Sequence, residues 1–171
     1  MKLQLAIGSL TLLIVTSLCG CGTNRFEQEV PTEEAAIKLA NETVQGGYQL
    51  VSTAELKKWL DDGQEFLLID AMPAEESFNK GHIPQAVNFA FPKEVMQGWN
   101  DKVMGVRKHE DFLNLYVDYK DRKIVDYCGF VKFSLSHNAA ICAQELGFTN
   151  VYRHPGGIYA WRGAGHALTT D

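Results

Sequence analysis

The segment IVDYCGFVKFSLSHNAA, residues 124–140, decides how the rest of the sequence is interpreted. It begins within the predicted strand KIVDYC and ends in a helical pattern that starts near Ser134. Cys128 lies at the junction of the two elements. Such a cysteine is either a nucleophile held in an anion-binding loop or a small side chain buried in the core, and the surrounding sequence has to distinguish these alternatives.

Length and composition predict one domain with a hydrophobic core, since the chain has 171 residues, of which 46% are hydrophobic. Its net charge of −5 argues against a nucleic-acid-binding surface, which usually carries a basic stripe. No sequence period of about 20–50 residues supports a solenoid. The 5 histidines show no ligand spacing with cysteine or carboxylate side chains, so we expect no metal site and no cofactor.

Strand and helix patterns alternate along the chain. The predicted strands are EFLLIDA (65–71), AVNFAF (86–91), KIVDYC (123–128) and NVYRHP (150–155). The predicted helices are TAELKKWLDDG (53–63), with Thr53 as its N-cap, HEDFLNLYVDY (109–119), SLSHNAAICAQELG (134–147) and IYAWRGAGH (158–166). Because such alternation implies right-handed crossovers, the expected fold class is α/β, with a mainly parallel sheet of about five strands flanked by helices on both faces.

Three loops follow the ends of predicted strands. Asp70 lies at the end of the first strand, Cys128 at the end of the third, and the turn Pro155-Gly156-Gly157 follows the last. Ligands of parallel α/β sheets bind beyond the carboxyl ends of the strands, so we expect the three loops to converge on one site. Gly156 and Gly157 are expected to permit a tight turn beside it.

The segments LLIDAMPAEESFNKGHIPQAVNF, IVDYCGF and LGFTNVYRHPGGIYAW occur in this order, and together they resemble the rhodanese-like domain over residues 48–166. The resemblance implies a rhodanese-type thiosulfate or sulfane sulfurtransferase. In such an enzyme the Cys128 thiolate would take the outer sulfur of a small sulfur-donor molecule, carry it as a persulfide and pass it to a thiol or protein acceptor.

The loop after Cys128 is predicted to bind the anionic donor and to stabilise the thiolate. Backbone N–H groups of residues 129–133 can form a nest that faces the sulfur, and the positive end of the helix dipole near Ser134 adds to it. Lys132 supplies the cation of the loop, and Ser136 is a further cap or donor. The side chains of Phe130, Val131 and Phe133 are expected either to form an apolar mouth for an organic donor or a partner, or to fold onto the core. The predicted anion- and substrate-binding loop comprises Gly129, Phe130, Val131, Lys132, Phe133 and Ser134.

Several other residues have two interpretations. Asp70 either orients the active loop or is a satisfied carboxylate at a strand end. His137 either contacts the donor or transfers a proton, or it is a surface or helix-capping histidine. Cys142 shares a helical face with Leu135 and Ala139 at i, i+4 and i+7 spacing, which predicts a core position. His82 is expected to organise the turn in which it lies.

Departures from the family pattern leave a second function open. The loop resembles an extended subgroup with the motif CGFVKCTRSHNGA, in which Phe133 replaces a second cysteine and Leu135 replaces an arginine. Asp126 lies on the same strand face as Cys128 and, if close, would disfavour the thiolate. The alternative function is a non-catalytic rhodanese-like module that binds a partner or senses oxidants. Phosphatase activity is disfavoured because Ser134 stands six residues after Cys128, where rhodanese-fold phosphatases need an arginine.

The N-terminus predicts export and lipidation. Lys2 precedes the apolar run LQLAIGSLTLLIVTSL, and LCGC (18–21) resembles the lipobox of bacterial lipoproteins, which implies that Cys21 becomes the lipidated N-terminus. The alternatives are an uncleaved anchor and an ordinary secreted protein. We therefore expect an extracytoplasmic protein tethered to a bacterial membrane, and Gly22 favours the outer membrane, facing the periplasm.

The expected domains are a signal peptide at residues 1–20, a lipidated tether with an N-terminal helix at 21–47, and the rhodanese-like domain at 48–171. Within the second segment, residues 22–31 are expected to be a polar tether. The helix is expected over TEEAAIKLANETVQGG (32–47), with Thr32 as a cap.

Overall fold

Five parallel strands form the centre of the structure, a computed structural model that describes residues 24–117 and 122–170. Their order across the sheet is β1-β5-β4-β2-β3, and all four pairings are parallel. The predicted α/β class and the parallel sheet of about five strands are confirmed. In chain order the strands are β1 (Gln49–Leu50), β2 (Phe66–Asp70), β3 (Val87–Asn88), β4 (Lys123–Tyr127) and β5 (Val151–His154).

Helices cover both faces of the sheet, as predicted. One face packs against side chains such as Phe112 and Ala139, and the other packs against Leu56 and Trp161. A short 3-10 turn spans Phe78–Lys80. The helices are α1 (Arg25–Gly46), α2 (Thr53–Asp61), α3 (Asp101–Met104), α4 (His109–Tyr116), α5 (Leu135–Glu145) and α6 (Gly157–Gly163).

Strand β4 sends its side chains alternately to the two cores. Ile124 packs in the same core as Cys128, whereas Val125 and Tyr127 pack in the other. All four side chains are fully buried, and burial of each large apolar one contributes about 1.5–3 kcal/mol to folding. The strict alternation carries the sulfur of Cys128 to the face of the sheet that α5 covers.

Helix α1 begins earlier than the sequence predicted. Asn24 is its N-cap, with a side chain that accepts a hydrogen bond from Phe26 N, so the predicted polar tether is helical from Arg25 onward. Pro31 lies inside the helix, and Thr32 donates a hydrogen bond to Gln28 O instead of capping. The expectation was wrong because proline usually marks the first turn of a helix, whereas here a full turn precedes it. Gly47 ends α1 with φ of 66° and donates its N–H to Thr43 O.

Two further boundaries differ from the prediction. The N-cap of α2 is Ser52 rather than Thr53, because Ser52 forms a capping box with Glu55. Of the predicted strand 86–91, only Val87–Asn88 (β3) pairs in the sheet. After β3, Phe89 N donates a single hydrogen bond to Asp70 O, and Phe91 N donates one to Ala71 O, at the end of β2.

The predicted signal peptide and the predicted lipidation site Cys21 lie outside the described residues. Over residues 24–117 and 122–170, no helix combines the length and the apolar character that crossing a membrane would require.

Candidate active site

Cys128 follows the last residue of β4, and its buried thiol lies at the margin of the hydrophobic core, where it also meets polar atoms. Its exposed fraction is 0%. The sulfur lies 3.2 Å from Ser136 Oγ, 3.8 Å from Phe133 O and 4.0 Å from Phe130 O. Complete burial fits the interpretation as a core side chain, whereas the oxygen atoms around the sulfur fit a site that handles a polar group. The structure therefore combines elements of both predicted alternatives.

The turn before α6 holds the backbone of Cys128 in place. Ile158 N donates to Cys128 O at 2.9 Å, and Tyr159 N donates to Gly129 O at 3.0 Å. Gly157 has φ of 57°, and a Cβ atom there would overlap the carbonyl oxygen of Cys128. Only glycine fits this close approach. The predicted role of the glycine turn, a tight turn beside the site, is confirmed for Gly157, and a Cβ at Gly156 would meet the Ala160 side chain.

Asp70 ends β2 next to β4, where Ala71 N donates to Tyr127 O at 2.9 Å. The carboxylate accepts a hydrogen bond from Met72 N at 2.8 Å and makes no contact with the cysteine loop. Burial raises the pKa of Asp70, although the bond from Met72 opposes the rise. Of the two predicted roles, the structure supports the strand-end carboxylate that stabilises its own turn.

The loop between β4 and α5 does not present its N–H groups to the sulfur. Phe133 N donates to Phe130 O at 3.0 Å, and the carbonyl oxygens of both residues face Cys128. The predicted nest of N–H donors around the sulfur is therefore wrong, because the N–H group of Phe133 closes a turn within the loop and carbonyl oxygens face the sulfur instead. Lys132, the predicted cation of the loop, is exposed, whereas Gly129 is buried.

Aromatic rings cover the outside of the loop. The Phe130 ring lies 4.2 Å from the Phe133 ring and 5.2 Å from the Tyr159 ring, measured between centroids. Phe133 packs onto Gly129 and against the core, so it matches the predicted core alternative. Tyr159 is 66% exposed, and with the half-buried Phe130 it forms an apolar surface over the site.

A cleft of about 430 Å³ separates the loop from α1. Its loop side is formed by Val131 and Lys132, and its helix side is largely apolar. The cleft therefore combines an apolar wall with a cationic group next to the cysteine loop. The residues that line it from α1 are Pro31, Thr32, Ala35, Ala36 and Leu39.

Arg153 is connected to the Cys128 sulfur through one hydroxyl group. It comes from β5, is fully buried, and donates from Nε to Ser136 Oγ at 2.9 Å and from Nη2 to Phe133 O at 2.8 Å. Because a guanidinium can only donate, the Ser136 hydroxyl accepts from it and keeps its own hydrogen, so it can donate to Cys128 Sγ when the sulfur is a thiolate. A buried positive charge thus acts on the sulfur through one hydroxyl group.

The other side of the guanidinium is held by α1. Arg153 Nη1 donates to Glu42 Oε2 at 2.6 Å and to Tyr48 Oη at 3.2 Å. Glu42 also accepts hydrogen bonds from Lys38 and, at 2.9 Å, from Ser134 Oγ. Burial opposes the ionisation of Glu42, but the bonds from Lys38 and Arg153 lower its pKa below the ordinary value. The carboxylate is therefore charged.

His137 belongs to the same buried cluster. Its Nδ1 lies 2.9 Å from Tyr48 Oη, and its exposed fraction is 0%. Burial lowers its pKa to about 4, so the ring is neutral at pH 7. The predicted surface or helix-capping position is wrong, because the ring is buried in the core, where the hydroxyl of Tyr48 pairs with its Nδ1. Ser134 is the N-cap of α5 by position, but its side chain bonds Glu42 and makes no capping hydrogen bond.

Asp126 does not oppose the thiolate in the way that the sequence suggested. The carboxyl group is fully buried next to Arg153 in the strand ladder. Burial raises its pKa well above the ordinary value, although Arg153 opposes the rise. The neutral acid is favoured, and a neutral acid does not repel an anion on Cys128.

Two other predictions are confirmed. Cys142 is buried in the core, and burial raises the pKa of its thiol to about 12. His82 organises its turn: the ring stacks on Phe78 with centroids 3.8 Å apart, and its backbone pairs with Thr169. Sequence reasoning missed Arg153, Glu42 and Tyr48. A single arginine within the apolar strand VYRH was a usable signal for the first, whereas nothing in the sequence marked the other two.

Comparisons with known proteins agree with the fold. The family model described as the rhodanese-like domain matches residues 52–164. The chain resembles a solved Bacillus halodurans protein with 22% identity and a TM-score of 0.58, covering 82% of this chain and 86% of that one. It also resembles a thiosulfate sulfurtransferase from Pseudomonas aeruginosa with 17% identity and a TM-score of 0.56, covering 78% of this chain but 22% of the larger enzyme.

A third solved structure, a Rhodopseudomonas palustris protein described as a possible tyrosine phosphatase, has 22% identity and a TM-score of 0.53, with coverage of 79% of this chain and 93% of that one. At these identities the likenesses establish the fold alone. No curated protein matches the chain in sequence.

Proposed function

The chain belongs to the rhodanese-like domain family, and from this premise we propose that it is a membrane-tethered, extracytoplasmic sulfurtransferase that carries sulfane sulfur as a persulfide on Cys128. One observation carries the proposal. The Cys128 sulfur touches the Ser136 hydroxyl at 3.2 Å, and that hydroxyl accepts a hydrogen bond from the buried guanidinium of Arg153. A purely structural cysteine has no need of such a partner.

The chemistry divides into two displacements. In the first, the Cys128 thiolate attacks the outer sulfur of the donor, and the sulfur–sulfur bond of the donor breaks. The leaving group departs with the electron pair, as sulfite does when the donor is thiosulfate. In the second, an acceptor thiolate attacks the terminal sulfur of the persulfide, and Cys128 leaves again as a thiolate. Both steps pass through an anion on Cys128, and the hydroxyl of Ser136 can donate to that anion.

The donor has to approach a sulfur that is fully buried. We infer that the loop of residues 129–133 shifts to admit it, because that loop and its aromatic cover lie over the cysteine. The cleft beside α1 offers an entry with Lys132 at its edge, and a negatively charged donor is attracted to an ammonium group there.

The test is cyanide-dependent formation of thiocyanate from a panel of sulfane donors by the full-length protein. We expect turnover with at least one donor and its loss in Cys128→Ser. The matched control is Cys142→Ser, which removes the other buried thiol and leaves the site intact, so activity should be retained. Equal activity of Cys128→Ser and the native protein would contradict the proposal.

The second candidate is a non-catalytic module that binds a partner or senses oxidants through Cys128. Complete burial of the thiol and the absence of a loop arginine at Leu135 favour it. It predicts no turnover with any donor and a stable modification of Cys128. Mass spectrometry of protein purified without reductant separates the two: release of a +32 adduct by cyanide indicates a persulfide, whereas an adduct that resists cyanide indicates two added oxygens.

Phosphatase activity is the third class, and the site lacks what it needs. Ser134 occupies the sixth position after Cys128, and its hydroxyl is engaged with Glu42 at 2.9 Å. A serine there cannot grip phosphate as the two parallel donors of an arginine do.

We also propose that Cys21 is acylated and tethers the domain to a bacterial membrane, with the outer membrane facing the periplasm as the expected location. The support is the LCGC motif after an apolar run. Incorporation of labelled palmitate should occur in the native protein and disappear in Cys21→Ala, whereas Cys19→Ala should still be labelled. Absence of label in the native protein would overturn the anchor.

A further inference from the structure

Helix α1 lies before the segment that matches the family, yet it contributes a buried charge to the site. The family match begins at residue 52, and α1 ends at Gly46. Glu42 of α1 is only 6% exposed, and its carboxylate contacts Arg153, Ser134 and Lys38. The network of hydrogen bonds therefore runs without interruption from α1 to the sulfur of Cys128.

The charges around this network can be assigned. Burial raises the pKa of Tyr48 above its ordinary value and lowers that of His137 to about 4, so these two groups are neutral near pH 7, and burial raises the pKa of Asp126, which favours its neutral form. Asp70, at the end of β2, has a raised pKa as well, and Lys132 of the loop is exposed to solvent. The buried charges that remain are the carboxylate of Glu42 and the guanidinium of Arg153, with Lys38 at the edge.

We propose that Glu42 is a positioning residue for the nucleophile: it holds the Arg153 guanidinium against α5 and offsets part of the positive charge that would otherwise stabilise an anion on Cys128. Helix α1 thereby sets how readily the cysteine ionises. The inference rests on the proposed function of Cys128 as a nucleophile and assigns a control element to that same site.

The sign of the effect follows from the pairing. Without the carboxylate, the buried guanidinium has no counter-ion, and a buried unpaired charge is strongly unfavourable. Ser136 and Phe133 O still hold the guanidinium in place, at 2.9 Å and 2.8 Å. The thiol of Cys128, connected to the guanidinium through the Ser136 hydroxyl, can release its proton to water and supply part of the missing negative charge. Removal of the charge on Glu42 therefore favours the thiolate and the persulfide.

The test measures the rate of alkylation of Cys128 by iodoacetamide as a function of pH in the full-length protein. Trypsin releases Cys128 in the peptide IVDYCGFVK (124–132), separate from Cys142, so mass spectrometry follows this thiol alone. Glu42→Gln keeps the size of the side chain and loses its charge. We expect the midpoint of its rate profile to fall by about 0.5 to 1 pH unit relative to the native protein.

Three comparison variants make the result specific. Glu42→Asp retains the charge and should not lower the midpoint. Asp61→Asn removes a carboxylate of an exposed i,i+4 pair with Lys57 and should leave it unchanged. Lys38→Gln removes a positive charge and should raise the midpoint. The Lys38 side chain is 35% exposed, so the fold should tolerate this substitution.

An unchanged or raised midpoint in Glu42→Gln would overturn the inference. Should that variant not fold, Lys38→Gln decides the matter, and a midpoint that does not rise overturns the inference as well. The alkylation profile does not depend on turnover. A chain that shows the expected shifts but transfers no sulfur would therefore refute the proposed function while leaving the role of Glu42 intact.

Discussion

Cys128 and Cys142 are both buried cysteines, and their surroundings explain why only the first is suited to ionise. The thiol of Cys142 lies among apolar side chains, and burial raises its pKa to about 12, with Glu145 adding to the rise. The thiol of Cys128 instead meets a hydroxyl group that the guanidinium of Arg153 orients. Because the thiolate is the nucleophile, a partner that can donate to the anion distinguishes a reactive cysteine from a structural one.

Arg153→Lys is the first prediction at the scale of single residues. The guanidinium donates to four partners at once, Ser136, Glu42, Tyr48 and Phe133 O, through three different nitrogens. An ammonium group cannot reproduce this fork. We expect the rate of Cys128 alkylation at pH 7 and the rate of sulfur transfer each to fall about tenfold or more. Arg162→Lys, on the exposed side of α6, is the control, and an equal effect in both variants would contradict the prediction.

Asp126→Asn is the second prediction for a single residue, and it concerns how the stability of the protein depends on pH. A carboxyl group whose folded pKa is raised binds its proton more tightly in the folded state than in the unfolded state. Its contribution is fully present below the unfolded value of about 4 and is lost as pH rises toward the folded value. Above about pH 4, the free energy of unfolding of the native chain should therefore decline relative to Asp126→Asn, by up to about 1.4 kcal/mol per pH unit. Urea unfolding of both proteins from pH 4 to 8 measures the difference, and parallel curves would show that Asp126 is charged in the folded state.

At the scale of elements, the cysteine loop at the carboxyl end of β4 is fixed by its contact with the N-terminus of α6. The backbone of α6 donates to the carbonyl groups of Cys128 and Gly129, and the close approach depends on Gly157. The position of the nucleophile is thus determined by the strand before it and by a helix that follows 29 positions later.

Gly157→Ala should break this contact. The new methyl group would overlap Cys128 O and lie 2.7 Å from Gly129 O, in a backbone with φ of 57°. We expect a loss of about 1–3 kcal/mol of stability, together with reduced sulfur transfer. Gly163→Ala, at the other end of α6, meets no atom within 4 Å and should be neutral or stabilising by about 0.5–1 kcal/mol. Thermal unfolding measures the change in stability of each variant. Equal changes in Gly157→Ala and Gly163→Ala would mean that Gly157 matters only as a helix residue.

Most of the elements that position the site were predictable, because β2 is an apolar run, strand and helix patterns alternate along the chain, and α5 has a clear helical spacing. Strand β1 was not specified, since it has only 2 residues and both are exposed. The start of α1 was misplaced because Pro31 is a strong local signal, which the packing of the rest of the helix overrides.

At the scale of the whole molecule, the limits of sequence reasoning follow from distance along the chain. The convergence of the Asp70, Cys128 and Gly157 loops could be predicted, because parallel topology brings the carboxyl ends of strands together. The ion pair between Glu42 and Arg153 joins residues that are 111 positions apart. No local pattern encodes such a pair, since it depends on how α1 packs across the end of β5. The nucleophile was therefore predictable, and the cation that acts on it was not.

The same ion pair predicts that α1 is energetically part of the domain. A chain lacking residues 1–46 would leave Arg153 without its carboxylate, and breaking a buried pair costs up to about 3–5 kcal/mol. Arg153→Met replaces the cation with an apolar side chain, so the same truncation should cost clearly less in that background. Urea unfolding of four proteins, the full-length and truncated chains with and without Arg153→Met, gives the coupling free energy between α1 and the charge of Arg153. An equal cost of truncation in both backgrounds would mean that α1 stabilises the domain only through apolar burial, and the charge connection between α1 and the site would have no energetic basis.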